Sequence, residues 1–219
     1  MTEAMIAERS LRADAQRNLE SILEAAAAAF AEGGLDVGVA DIAKRAGVGQ
    51  ATIFRRFETK DDLIAAVVHR KLDFLMEVAE QAAGRKSAWD GLREFMTKAT
   101  ELNMRDKGLF EAVGERLMSD PHFLAVHERL LAHVGDIVER AKAEGDLRRD
   151  LHAQDIPVLT CSAAQAGSMT RGADPELWRR YLQIVFDGMR ADGCQSRLKP
   201  GSPSMEKLRE SMREVAQAS

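Results

Sequence analysis

The chain has 219 residues, 45% of them hydrophobic and 30% charged, with a formal net charge of −4. Such a length buries one substantial core, or a small domain joined to a larger one, and the balance is that of a folded chain rather than a disordered one. The acidic total excludes a protein that coats nucleic acid over its whole surface, and no apolar run reaches the 18 or so residues of a membrane span.

Aromatics are only 5%, alanine runs such as Glu24–Phe30 recur, and no segment alternates as a strand, so the chain reads as all-α. The N-terminal MTEAMIAERSLRADAQ carries acids and has no apolar segment, so it does not read as a signal peptide. The first helix is predicted from about Arg12 to Glu32, with Leu19, Ile22, Leu23, Ala26 and Phe30 at helical spacing, and Gly33 and Gly34 end it. A short helix follows over Val39 to Ala46. Gly47 then opens a tight turn plugged by Val48, and a second short helix carries Ala51, Ile53, Phe54 and Phe57. Two short helices joined through a glycine turn form the helix-turn-helix pattern, in which Ala43 and Gly47 lack bulk where the helices cross.

Downstream, Thr59 and Asp62 form a capping box that starts a long helix to Ala83, and Gly84 stops it. Ser87 and Asp90 repeat the device for a helix to about Arg105. A short helix over about Gly108 to Met118 comes next, and Ser119-Asp120-Pro121 caps another that ends at Gly145. The last two run from near Ala153 to Thr170, with Pro157 in the first turn, and from Pro175 to Asp192. After residue 193 the chain reads as a loop, with an amphipathic pattern over Met205–Ala216. The domains implied are 1–58, a three-helix helix-turn-helix DNA-binding domain, 59–192, a larger helical domain, and 193–219, a flexible tail.

Charge concentrates where the motif lies. Between residues 44 and 60, Lys44, Arg45, Arg55, Arg56 and Lys60 are opposed by the single acid Glu58, and Arg9, Arg12 and Arg17 sit in or before the first helix. On an acidic protein this small basic face suits binding at one defined place.

The stretch VADIAKRAGVGQATIFRRFETKDDL resembles the N-terminal signature of the TetR family of bacterial transcriptional regulators, over roughly residues 15 to 65. The resemblance implies a homodimer that sets the helix from Gly49 to Phe54 into a major groove of operator DNA. By the same resemblance Gln50, Ala51, Thr52 and Phe54 meet bases and adjacent phosphates, Arg55 and Arg56 lie near the backbone, and Lys60 meets a phosphate. Lys44 and Arg45 extend the basic face. The residue chemistry agrees: Gln50 pairs bidentately with adenine, arginine forks onto guanine, and the Thr52 methyl meets thymine. Gly38 and Gly49 stand where the family commonly has Thr and Ser caps, Phe54 replaces a frequent Tyr, and Arg56 a frequent His. These departures shift contacts from hydroxyls toward fixed charge. Core packing is the competing account of Phe54, and small size alone the competing account of Ala51.

The C-terminal half carries apolar stripes rich in methionine. Ordinary core explains them, whereas the family resemblance implies a cavity for an apolar or amphipathic effector, lined by Phe95, Met96, Phe110 and Met118 with Asn103 and Gln165 as polar anchors. The last helix has more apolar residues than one stripe holds: Trp178, Tyr181, Val185 and Met189 are candidates for a dimer interface, and Ala163, Ala166 and Gly167 on the preceding helix allow close approach. The five histidines show no metal-ligand spacing. The two cysteines, Cys161 and Cys194, stand apart without C-x-x-C, which fits a reduced cytoplasmic setting with no zinc site or disulfide. No catalytic motif appears, so no enzyme, cofactor, metal or membrane partner is expected. The reading is a regulator, most simply a repressor released from a palindromic operator by a small molecule. Its alternative is a ligand-independent DNA-binding protein whose C-terminal half only dimerises.

Overall fold

The structure, a computed structural model, describes residues 3–105, 120–192, 196–198, 201, 204, 206 and 207, the first eleven of them as backbone. Eight helices occur among the described residues: α1 (Glu3–Gly33), α2 (Val39–Ala46), α3 (Gln50–Phe54), α4 (Lys60–Ala83), α5 (Ala88–Arg105), α6 (Pro121–Ala143), α7 (Asp155–Thr170) and α8 (Leu177–Met189). The expected helix over 108–118 and most of the pattern over 205–216 lie outside the described residues.

The described residues form two compact units that divide within α4, between Arg70 and Lys71. The sequence reading placed a boundary at 58/59. The first unit extends further because Leu63 and Val67 are buried, and because Arg70 pairs with Glu24 at 3.0 Å and donates to the Glu20 carbonyl, tying α4 to α1. α1 also starts well before the expected Arg12. Residues 3–12 are mostly good helix formers with no Gly or Pro to stop them.

Within the first unit the turn between α2 and α3 is fixed by backbone bonding. Gly47 sits at φ 68°, ψ 26°, its N–H donating to Lys44 O, while Val48 N donates to Ala43 O at 3.0 Å. This is a Schellman closure, and the left-handed residue it needs is most readily glycine. Ile42, Ala43, Ile53 and Phe57 are buried beneath the turn. The Thr59 capping box is present in both directions: Thr59 N donates to Asp62 Oδ2 at 2.9 Å, and Asp62 N to Thr59 Oγ1 at 3.1 Å.

In the second unit α5 packs on α6 and α7, and α7 on α8. Asp120 accepts from His122 N with Pro121 at the first helical position, and Asp90 N donates to Ser87 Oγ, as the sequence signals require. Beyond α8 the chain is not simply loose. Arg190 pairs with Leu147 in an isolated antiparallel bridge, and Arg148, nearly buried, forks onto Asp150 and donates to the carbonyls of Gly188 and Ser196. Leu198 N donates to Asp150 Oδ2, so residues 196–198 are held where the sequence reading has a flexible tail. The Arg148 guanidinium and the Leu198 amide hold the Asp150 carboxyl well below the usual carboxylate range.

The small residues of α7 are used inside this unit. A Cβ on Gly167 would stand 2.5 Å from Trp178 Cβ and 3.0 Å from Met104 Sδ, so α5, α7 and α8 meet there at closer range than any side chain allows. Gly167→Ala is expected to destabilise the protein by about 1–3 kcal/mol, lowering Tm by about 2–10 °C in a thermal melt.

Candidate nucleic-acid interface

The recognition elements are positioned by their buried partners. Ile53 of α3 is buried, which turns the flanking residues outward: Gln50, Ala51, Phe54 and Arg55 are exposed, and Thr52 is half-buried. Phe54 is 45% exposed, which removes the core-packing account of it, and Ala51 is exposed rather than needed for a helix crossing. Gly38 and Gly49 take extended N-cap conformations with no side-chain cap bond, as their lack of a hydroxyl dictates. Their backbones are therefore the only groups either cap offers a phosphate. Lys44 is exposed on α2, and Lys60 begins α4 at a helix N-terminus.

The basic residues are not equivalent. Arg45 pairs with Glu32 of α1, and this hydrogen bond holds the Glu32 carboxyl below its ordinary value and raises the Arg45 guanidinium. Both are exposed, so the pair orients the arginine more than it stabilises the fold. Arg56 Nη1 donates to the Ala15 carbonyl at 3.1 Å, bracing the end of α3 against α1. Arg55 remains an exposed guanidinium beside Phe54. The sequence could not separate the two neighbours, because the difference is a long-range contact to a backbone oxygen.

The family comparisons bear on both units. Residues 22–67 match the model of bacterial regulatory proteins of the tetR family, and residues 87–191 match the C-terminal domain model of SbtR-like transcriptional regulators. The chain belongs to the TetR family. It is a DNA-binding transcriptional regulator of all-α architecture, with an N-terminal helix-turn-helix domain and a C-terminal helical domain. Among its relatives is the HTH-type transcriptional repressor KstR2 of Mycobacterium tuberculosis, 28% identical over 187 residues that cover 78% of this chain and 92% of that protein. A TetR regulatory protein of Mycobacterium vanbaalenii has a similar structure, with 29% identity, 82% of this chain and 99% of that one covered, and a TM-score of 0.61. The fold is shared with FadR of Bacillus subtilis, solved in complex with stearoyl-CoA, at 20% identity, 78% and 98% coverage and a TM-score of 0.56.

In this TetR chain the helical domain departs from the sequence expectations in several places. Phe95 and Met96 are buried on α5, and Asn103 Nδ2 donates to Cys161 Sγ at 3.6 Å, while Phe110 and Met118 lie outside the described residues. Gln165 is exposed on α7 and does not point inward, because the buried register of that helix is Ile156, Thr160, Ala163, Ala164 and Gly167. Of the residues expected at a dimer interface, Ala163, Gly167, Trp178 and Met189 are buried within their own subunit, and Ala166, Tyr181 and Val185 are half-buried. The apolar residues left outward are others: Val158 at 52% and Met169 at 80% exposure on α7, and Ile184 at 59% on α8. The signal that finds them is spacing, since residues 158, 165 and 169 share one helical face. Among the described residues no helix is long and apolar enough to cross a membrane.

Arg55→Ala and Arg56→Ala are expected to separate in two measurements. Arg55→Ala weakens duplex binding and flattens the log–log salt slope by about one per subunit, with Tm unchanged. Arg56→Ala also lowers Tm, because the Ala15 carbonyl loses its donor. Wild-type affinity, measured by fluorescence anisotropy, falls by about a hundredfold to ten-thousandfold between 50 and 200 mM salt.

Proposed function

We propose that the protein is a homodimeric repressor that binds a palindromic operator through two copies of α3 and leaves it when a small molecule occupies the helical domain. The observation that carries the DNA-binding part is the outward set of Gln50, Ala51, Phe54 and Arg55 over the buried Ile53, beside Lys44 and Lys60. Gln50 and Thr52 are the base-reading groups in this account, Arg55 and Lys60 the phosphate contacts, and Lys44 and Arg45 the flank. Repression is supported by the name of KstR2 as a repressor and by its likeness to this chain along most of its length.

Dimerisation is assigned to the outward faces of α7 and α8. Val158, Met169 and Ile184 are exposed apolar side chains on these two helices, and a two-fold pairing of the helices with their copies would cover them. Ligand release then needs an effector that binds the subunit arrangement in which the two recognition helices are mis-spaced for successive major grooves, since equal affinity for both arrangements shifts nothing. α4 begins in the DNA-binding unit and continues unbroken into the helical one, which makes it the element on which such a difference acts.

Selection of bound duplexes from a random pool tests the operator. Wild type is expected to enrich an inverted repeat with half-sites about one helical turn or more apart, and Gln50→Ala to lose the preference at one base pair per half-site. A folded dimer that enriches nothing at low salt sinks the reading. Ile184→Glu combined with Met169→Glu is expected to give a folded monomer by analytical ultracentrifugation, with operator affinity reduced at least about a hundredfold as one half-site is lost.

A further inference from the structure

The end of α6 turns back and is tied to the end of α8. Gly145 closes the helix at φ 83°, and beyond it Ala191 N donates to the Asp146 carbonyl at 2.9 Å and Arg148 N to the Met189 carbonyl at 3.0 Å, on either side of the Leu147–Arg190 bridge. The Arg148 side chain then donates to the Ser196 carbonyl at 2.7 Å, and the Asp150 carboxylate accepts from Leu198 N at 2.9 Å. Residues 146–150 are thereby held against residues 189–191 and 196–198, and a cavity of about 520 Å³ is lined from both sides.

The charge of this cavity is one-sided. Lys142, Arg148, Arg149 and Arg197 line it against the single carboxylate of Asp150. Two of the cations are already met: Lys142 pairs with Glu139 at 2.7 Å, and Arg148 forks onto Asp150 at 2.7 and 3.1 Å. Arg149 and Arg197 are exposed, and among the described residues their guanidiniums have no hydrogen-bond or ion-pair partner. Each comes from a different one of the two segments, so two cations without a counter-charge share one cavity. Like charges gathered in this way repel, and an anion held between them turns that repulsion into attraction while meeting donors that the fold leaves unused.

We propose that this cavity binds a small phosphate ester, with Arg149 and Arg197 each donating to its phosphoryl oxygens. A guanidinium presents a planar fork that matches two phosphate oxygens, and a dianion balances two cations. The ligand is an ester rather than the bare ion because about 520 Å³ lies in the range that holds a small organic molecule, and Leu147 and Ala191 in the wall offer a carbon body an apolar contact. Binding here requires neither operator DNA nor an effector in the helical domain.

Calorimetric titration of the full-length protein, free of DNA, with phenyl phosphate and separately with inorganic phosphate tests the site. Wild type is expected to bind phenyl phosphate saturably, and at least about fivefold more tightly than inorganic phosphate. The double variant Arg149→Gln/Arg197→Gln is expected to lose at least about tenfold in affinity for the ester, yet to melt at the wild-type temperature without it, since neither side chain has a partner to lose. Arg129→Gln removes an exposed arginine of α6 about 20 Å along the helix from Lys142, and is expected to bind as wild type does. A double variant that binds like wild type, an equal loss in Arg129→Gln, or no saturation of wild type by about 10 mM ester overturns the site. If inorganic phosphate binds wild type as tightly as phenyl phosphate and the double variant loses both, the ester assignment is overturned in favour of the free ion.

Discussion

The turn at Gly47 fixes the geometry on which the exposed face of α3 depends. Its left-handed backbone lets Gly47 and Val48 return their amides to Lys44 and Ala43, and this sets the direction in which α3 leaves α2. With Ile42, Ala43 and Ile53 buried beneath it, α3 has a single face to present, and Gln50, Phe54 and Arg55 are on it. A short helix of this kind has little stability of its own. It is held by the core under it, by Arg56 reaching the Ala15 carbonyl and by the capping box that starts α4.

The helical domain works under a different constraint, which is how closely α5, α7 and α8 approach one another. Gly167 stands against Trp178 and Met104, so the small-residue run on α7 is consumed by packing within the subunit. The opposite face of α7 is then released for another purpose. It carries Val158, Gln165 and Met169 into solvent, and Ile184 does the same on α8. An outward apolar pattern next to a tightly packed inner one is what two-fold association of helices requires.

Several side-chain hydrogen bonds close within the same domain. Hydroxyls on α5 and α7 return to their own helices, and Arg148 is met by Asp150 and two carbonyls. Among the described residues of α5, Thr100 Oγ1 and Arg93 Nε are buried atoms without a hydrogen-bond partner.

Much of this was legible in the sequence. Periodicity gave the helices, and Gly47, Thr59 with Asp62, and Asp120 with Pro121 marked their ends, because caps and left-handed turns are local chemistry that a few adjacent residues determine. The outward residues of α3 were legible for the same reason, once the motif assigned an inside to Ile53. What the tertiary structure alone decided is where each helix spends its faces. Whether Phe54 is buried, whether Arg55 or Arg56 is tied down, whether Gly167 meets its own subunit or another, and whether the Thr100 hydroxyl has a partner all depend on residues far away in the chain. A helix that is apolar or small around most of its circumference, as α7 is, carries no local mark of which side is the core, so only packing assigns it.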